Sequence, residues 1–407
     1  MTDRSIQLNY SLNPDSKYID TQFTLYHNNT KELEDQIDND LHDTTKFSTW
    51  GFNLQNNSAF DYITLTYGVD YYQDKAKTFR QTNQTEAGLF RPNNYNAQSD
   101  VVGTYLLSYI PMFNDKLVLS PSIRYDNYRS KEKSQGNYSE HRWSPSLALL
   151  WKATDWLDLS ARYNEAFRAP SLQEKFTSGN HFGYSSHGRA TSNKFISNPN
   201  LKPEVAKNKE ISAYFHFDNF ITQNDKAELT TTFFQNDVKN LINLETYYSN
   251  PNSAFNFMPD LSQYRNIANA RLRGFEIEGK YSFNNLSFAL SYGQTRGKNK
   301  NSGEYLENIN ADKYSAAIDY ALFANALKLG ARISYYAKQD RVPQGSPSYP
   351  SYTLTDLTAS FSPLSGSLKN IRIDLAIDNL FDKRYLPVFN LIEGTGRNVK
   401  VGVSYYF

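Results

Sequence analysis

The sequence predicts an all-β protein, specifically an antiparallel β-barrel that spans a membrane. Three observations support this prediction: the composition, an alternation of apolar and polar residues, and an alternation of short and long connections. Tyr, Phe and Trp number 31, 26 and 4 and make up 15% of the 407 residues, whereas hydrophobic residues as a whole reach only 39%. A disordered chain would lack these aromatics. A sheet with one wet face accounts for a chain that is rich in aromatics yet poor in aliphatics.

Charge and cysteine content exclude several other classes of protein. Lys and Arg number 43 against 42 for Asp and Glu, so no overall positive field favours nucleic acid. The absence of Cys excludes disulfides, thiolate metal sites and cysteine nucleophiles. The sequence has no run of about 18 apolar residues for a transmembrane helix. Its first residues lack the apolar core of a signal peptide.

Alternating runs recur from one end of the chain to the other. In chain order, the clearest runs cover residues 63–71, 157–163, 275–283, 371–377 and 399–407. In the last of them, Val399, Val401 and Val403 alternate with small or polar residues. A period of two indicates a strand with one apolar face. Each run is about ten residues long, which is longer than is usual in soluble sheets and long enough to cross a bilayer.

The connections between the runs alternate in length. Short turns lie at 13–15, 56–57, 114–115, 154–155, 224–225, 284–285, 324–325 and 365–366. Long polar loops are predicted near 30–45, 75–97, 130–140, 166–207, 238–268, 297–311, 339–351 and 382–396. Membrane barrels have short turns on the periplasmic side and long loops outside the cell. A soluble β-sandwich is the alternative, but its strands are shorter and its turns do not alternate in this way.

The strand count predicts that the chain is part of a larger barrel. We count about 17 strands, whereas complete bacterial barrels have an even number. With an odd number, the first strand runs toward the periplasm like the last. We therefore expect residues 1–407 to form one barrel domain, the C-terminal part of a larger protein whose first strands are absent.

The longest loop, 166–207, holds two short sequence boxes with histidines between them. The first box is Phe167, Arg168, Ala169 and Pro170, and the second is Asn198, Pro199, Asn200 and Leu201. Between them lie His181, which precedes a Phe, and His187. These boxes resemble those of TonB-dependent outer-membrane receptors, in particular the heme and hemoglobin uptake branch. Residues 273–278, 378–385 and 396–397 are similar to segments found across the same receptors.

The resemblance implies a cargo, partners and a location. A receptor of this kind has about 22 strands around a plug domain, and no plug is recognisable here. It would lie in the lipid of the outer membrane, take heme from hemoglobin or another heme carrier, and draw energy from the TonB complex. Heme is then a transported ligand rather than a catalytic cofactor. The resemblance implies that His181 is the axial ligand of the heme iron, with His187 as the second candidate.

Each of these residues also has a purely structural interpretation. His181 would then be an ordinary solvated loop histidine, and Arg168 would pair with a carboxylate such as Glu165 or Glu174 to shape the loop. The prolines of both boxes would end strands and stiffen the loop.

Other functions stay open on the sequence alone. The cargo of such a receptor could be a ferric siderophore or cobalamin instead of heme. A barrel without a plug could be a porin-like pore. An outer-membrane enzyme is a further class, but no nucleophile elbow or ordered triad is recognisable. We therefore expect no enzymatic activity, and no metal site other than one for heme iron, because the histidines are scattered.

Overall fold

The computed structural model describes residues 1–37, 40–82, 91–133, 135–186, 189–252, 259–267, 269–390 and 392–406, with the backbone alone at 36, 181–186 and 189–191. The strands are β1 (Thr2–Leu12), β2 (Asp20–Gln36), β3 (Leu41–Ala59), β4 (Thr64–Phe79), β5 (Asn96–Met112), β6 (Leu117–Glu132), β7 (Gly136–Thr154), β8 (Leu157–Arg168), β9 (Gly179–Ser186), β10 (Arg189–Phe195), β11 (Glu204–Asp218), β12 (Asp225–Lys239), β13 (Ile242–Tyr247), β14 (Leu261–Asn266), β15 (Ala270–Phe283), β16 (Leu286–Asn299), β17 (Lys313–Leu322), β18 (Leu327–Tyr336), β19 (Tyr352–Phe361), β20 (Ile371–Asp378) and β21 (Asn398–Tyr405). A short helix, α1 (Leu172–Phe176), follows β8.

Seventeen strands form one antiparallel sheet, which confirms the predicted count and fold class. β1 to β8 pair in chain order, β8 then pairs with β11, and β12 pairs with β15, after which β15 to β21 again pair in order. The segments inserted after β8 and after β12 therefore project from the same end of the sheet. No helix among the described residues is long and apolar enough to cross a membrane.

The sheet has one apolar and one polar face. On β5 and β6, Leu106 pairs with Ile123, and both are more than 40% exposed. The next residues along, on the opposite face, include Arg124, whose guanidinium donates to Asp70 at 2.7 Å and pairs with Asp126. Because side chains alternate along a strand, one face presents hydrocarbon outward while the other holds a network of ion pairs.

The strands near the N-terminus are longer than predicted. β2 to β7 have 16 to 19 residues, whereas β17 to β21 have 8 to 10. The loops predicted at 30–45 and 130–140 are therefore mostly strand, and that prediction was wrong. Backbone pairing continues into polar hairpins beyond the apolar band, because ladder hydrogen bonds do not depend on alternating side chains.

A second, smaller sheet joins the two longest insertions. Its order is β13-β14-β10-β9, and β10 runs parallel to β14. The loops predicted at 166–207 and 238–268 therefore pair with each other above the large sheet.

The wall of the large sheet divides between β7 and β8. Their ladder ends at the pair Ser146 and Asn164, whereas β7 continues beside β6 and β8 continues beside β11. Among the described residues, no backbone pair joins β7 to β8 beyond this point. We call this division the seam. A cavity of about 620 Å³ occupies it, and Arg142 on β7 reaches across to Glu165 on β8.

The helix α1 packs on the polar face of the sheet, against β4 and β5. Its Leu172 and Phe176 are 4% and 0% exposed and pack on Ala76 of β4 and Ala97 of β5. These two alanines leave room for the helix on the polar face of the sheet. The segment that follows β8 is thereby anchored on strands three and four positions away in the sheet.

Candidate functional site

Arg168, at the end of β8, is held by two carboxylates. Its Nε and Nη2 donate to Glu204 at 2.6 and 2.7 Å, and its Nη1 and Nη2 donate to Glu174 at 3.1 Å each. Two such contacts fix the plane of the guanidinium. The predicted pairing with Glu174 is confirmed, and the alternative with Glu165 is wrong. Residues 165 and 168 point to opposite faces of the strand, and Glu165 pairs with Lys207 instead.

The same two acids tie the first box to its surroundings. Glu174 accepts the backbone N–H of Ser171 at 2.7 Å, and the Ser171 hydroxyl accepts that of Glu174 at 3.1 Å, which forms a capping box at the start of α1. Glu204 accepts the backbone N–H of Ile242 at 2.7 Å. Arg168 therefore connects β8 to the helix and to the small sheet.

The other members of the first box lie at the seam. Phe167 and Ala169 line the seam cavity together with Arg168. The carbonyl of Pro170 accepts a hydrogen bond of 3.0 Å from the hydroxyl of Tyr128, a residue that is only 2% exposed. This bond links the box to β6 on the far side of the seam.

The second box forms a turn that fastens α1 to the small sheet. The backbone N–H of Asn198 donates to the backbone carbonyl of Lys175 at 2.9 Å. The side-chain amide of Asn198 donates to the backbone carbonyl of Tyr264, also at 2.9 Å. The backbone N–H of Leu201 donates to the carbonyl of Asn198 and closes the turn, and the Leu201 side chain is 3% exposed. Pro199 is half-buried and Asn200 is exposed. The contacts of this box among the described residues are therefore structural.

A buried lysine separates the two boxes. Lys175 is 2% exposed, and its ammonium lies 4.5 Å from the ring centre of Tyr138 and 5.5 Å from that of Tyr128. Burial lowers the pKa of Lys175 to about 8, because a charged amine is poorly solvated there. The two rings supply a partial cation–π compensation.

His181 lies in β9 at an irregularity of the small sheet. Asn180 pairs with Lys194 and Phe182 with Asn193, so His181 is the extra residue of a β-bulge. Bulges are frequent beside functional sites. His187 lies outside the described residues.

A second cavity of about 620 Å³ borders the strand just before His181. Ser178, Gly179 and Asn180 line it from one side, and Arg91, Asn93, Lys194 and Phe195 contribute to the rest. The loop before β5 reaches this strand through a bridge between Pro92 and Gly179. Arg91 pairs with Asp43, while its Nε is buried without a hydrogen-bond partner among the described residues. The described lining contains two basic side chains, Arg91 and Lys194, and no acidic one. Asp43 balances the charge of Arg91, so Lys194 supplies the net positive charge of the described lining.

Sequence reasoning missed several of these groups. Glu204 lies directly opposite Arg168 in the register of β8 and β11, and no spacing in the sequence reveals that register. Arg91 lies in the loop before β5 and Lys194 on β10, about 100 residues apart, so no local pattern brings them together. The capping box of Ser171 and Glu174, in contrast, was readable as the pattern S-x-x-E.

Comparisons with known proteins agree with this architecture. Residues 2–380 match the family described as TonB dependent receptor-like, beta-barrel. Heme/hemopexin utilization protein C of Haemophilus influenzae is 47% identical over an alignment that takes in 100% of this chain and 58% of that protein. A hemin receptor of Yersinia enterocolitica is 26% identical, with 100% of this chain and 59% of that protein aligned. The chain thus spans less than two thirds of the length of these relatives.

Solved structures share the fold. A double mutant of the Serratia marcescens hemophore receptor HasR, in complex with its hemophore HasA and heme, superposes with a TM-score of 0.78 at 21% identity. The superposition covers 100% of this chain and 65% of that chain. The family match over most of the chain and the shared fold confirm the predicted outer-membrane β-barrel. The chain therefore belongs to the TonB-dependent receptor family, as a β-barrel of that family.

Proposed function

We propose that the protein is an outer-membrane receptor that takes up heme from a heme-carrying protein. In this proposal residues 1–407 are one barrel domain, transport is energised by TonB in the whole receptor, and the chain catalyses no reaction. The relatives at 47% and 26% identity bear names that refer to heme or hemin. The name of the first relative also includes hemopexin, which makes a hemopexin-like protein a candidate carrier beside hemoglobin.

We further propose that His181 ligates the heme iron, with His187 as the alternative. The observation that carries this proposal is the cavity beside residues 178–180. Its volume of about 620 Å³ falls in the range of about 300–1,000 Å³ typical of ligand pockets. A neutral imidazole from a bulged strand at its edge is a suitable axial ligand.

The charge of this cavity supports heme over a neutral cargo. Heme carries two carboxylates, Lys194 supplies a positive charge to the lining, and the Nε of Arg91 is a further donor without a partner among the described residues. Phe195 offers an aromatic surface, and its ring already stacks on Tyr264 with a centroid distance of 6.3 Å. A site of this kind binds a flat, apolar, dianionic ligand through its metal, its faces and its carboxylates.

The two boxes have a supporting role in this proposal. We call the contacts of Arg168 with Glu174 and Glu204 the Arg168 clamp. This clamp and the turn at Asn198 hold the two ends of the segment that carries His181. The boxes would then fix the position of β9 above the barrel mouth without contacting iron. The boxes would therefore contribute to heme binding by orienting the strand that carries His181.

A heme absorbance titration of the purified chain tests the proposal. We expect a saturable Soret shift for the wild type that is lost in His181→Ala. The matched control is His216→Ala, because His216 lies opposite Glu228 near the short-turn end of β11, at the other end of the sheet from the cavity. Loss of the shift in His187→Ala alone would move the ligand to that residue.

A second titration separates a wrong cargo from an incomplete protein. It uses the chain joined to the part of the Haemophilus influenzae relative that the alignment does not cover. If neither protein gives a saturable shift, the heme proposal is refuted, and a ferric siderophore becomes the next cargo to test.

A further inference from the structure

Strand β7 continues far beyond its ladder with β8, toward the long-loop end of the sheet. The two strands pair as far as Ser146 and Asn164. β8 ends soon after this pair, at Arg168, whereas β7 extends all the way to Gly136. The upper part of β7, residues 137–143, is therefore paired with β6 on one side only. We call residues 137–143 the free edge of β7.

The backbone of the free edge carries donors and acceptors that point away from β6. The N–H of Lys152 donates to the carbonyl of Lys116 at 2.8 Å, so the even-numbered residues of β7 bond to β6 and the odd-numbered ones face the other way. On the free edge the odd-numbered residues are Asn137, Ser139, His141 and Trp143. Among the described residues, their backbone N–H and C=O groups have no partner on that side.

Pro145 explains why β7 and β8 separate at the seam. It is the first odd-numbered residue above the ladder, and the register continued from Ser146 places it opposite Glu165. Because proline has no backbone N–H, it cannot donate to the carbonyl of Glu165. The ladder therefore ends at this position, and the edge of β7 is left open above it.

The free edge is long and accessible. Asn137, Ser139 and His141 are exposed, and the side chain of Trp143 is 59% exposed. The seven residues contain no proline and extend over about 23 Å. Proteins usually shorten or block such an edge, because its unpaired backbone groups are a template for another strand. An extended segment of a second protein can add to an edge of this kind.

The side chains around the edge favour a segment of particular chemistry. At the lower end, the ring of Trp143 lies 4.8 Å from that of Tyr125 and offers an apolar contact. Beside the upper end, Arg129 and Lys131 on β6 are both exposed, and neither forms an ion pair among the described residues. A segment with an apolar residue near one end and acidic residues near the other complements this surface.

We propose that the free edge of β7 binds an extended, acid-containing segment of the heme-carrying protein as an added β-strand. This inference rests on the proposed function, which supplies a protein partner at the long-loop end of the sheet. The edge adjoins the segment between the two boxes, since the ammonium of Lys175 lies 4.5 Å from the ring centre of Tyr138. A carrier docked on the edge is thus held next to the segment that carries His181.

Hydrogen exchange of the detergent-purified full chain, with and without heme-loaded hemopexin or hemoglobin, tests the proposal. We expect at least one of these carriers to bind and to slow exchange at the amides of Ser139, His141 and Trp143. The even-numbered amides of β7 are bonded to β6 and should exchange slowly in both states. Failure of both carriers to bind, or binding without slower exchange at these three amides, would overturn the proposal. The heme titration decides the proposed heme function independently of this result.

A pair of proline substitutions tests the backbone contacts directly. Ser139→Pro with His141→Pro removes two donors from the free edge and leaves the bonds of the even-numbered residues to β6. The loss of two hydrogen bonds should weaken carrier binding by about 30-fold. Ser139→Ala with His141→Ala is the matched control, because it removes the same side chains but keeps both N–H groups, and it should retain binding. Equal affinity of the two variants would overturn the proposal.

Folding of the proline variant is checked in the same experiment. The amides of β6 should exchange as slowly as in the wild type, because their ladder with β7 does not use residues 139 and 141. The protection expected in the wild type does not depend on either variant.

Discussion

The Arg168 clamp should control the order of the segment between the two boxes. In Arg168→Gln, four hydrogen bonds to Glu174 and Glu204 are lost, and the two acids then face each other without a cation. The acids are 18% and 13% exposed, whereas Arg168 is 46% exposed. Breaking a buried ion pair costs about 3–5 kcal/mol and an exposed one at most about 1 kcal/mol. For this partly exposed cluster we expect about 2 kcal/mol in the local opening free energy.

Hydrogen exchange measured by mass spectrometry checks this value. A loss of about 2 kcal/mol accelerates exchange by about 30-fold, and the effect should be confined to residues 169–203. Arg162→Gln is the control, because Arg162 lies on the same face of β8 and its one ion pair among the described residues is a loose one, 3.8 Å from Glu210. Unchanged exchange in residues 169–203, or equal acceleration in both variants, would refute the role of the clamp.

Two further perturbations probe the same segment. The pKa of Lys175 is about 8 in the folded protein against 10.5 when unfolded, so folding disfavours the charged amine. Stability of the segment should therefore rise by about 3 kcal/mol as pH increases from about 8 to above 10.5. Proteolysis of the segment across this pH range measures the rise, which should disappear in Lys175→Met; a rise that persists would contradict the assignment. Leu201→Ala removes a buried side chain and should cost about 2–4 kcal/mol, seen as faster exchange, whereas Asn200→Ala should change nothing; equal exchange in both would show that Leu201 does not anchor the turn.

The membrane-spanning part of the fold was predictable from the sequence. Alternating runs such as 275–283 directly indicate strands, because one face must be apolar where it meets lipid and the other is hydrated. Above the membrane the alternation of apolar and polar residues is lost, because both faces of a hairpin contact water. For that reason the continuation of β2 to Gln36 was assigned to a loop.

The candidate site was only partly predictable. The two boxes and His181 are contiguous in the sequence and could be found by their residues. The small sheet was less visible, although Ile242 and Leu244 alternate with Asn243 and Glu245. The contact of Arg168 with Glu204 depends on the register between β8 and β11, which no local pattern encodes.

The seam determines how β7 and β8 can separate at the long-loop end of the sheet. A backbone ladder resists separation as a cooperative unit, because each hydrogen bond aligns the next. The seam is instead crossed by separate side-chain links, including Arg142 to Glu165 and Tyr128 to Pro170. Such links can be released one at a time, so the segment with the two boxes can yield in small steps. Below Ser146 the backbone ladder between β7 and β8 continues to Thr154, so displacement at the rim does not have to separate these two strands within the membrane.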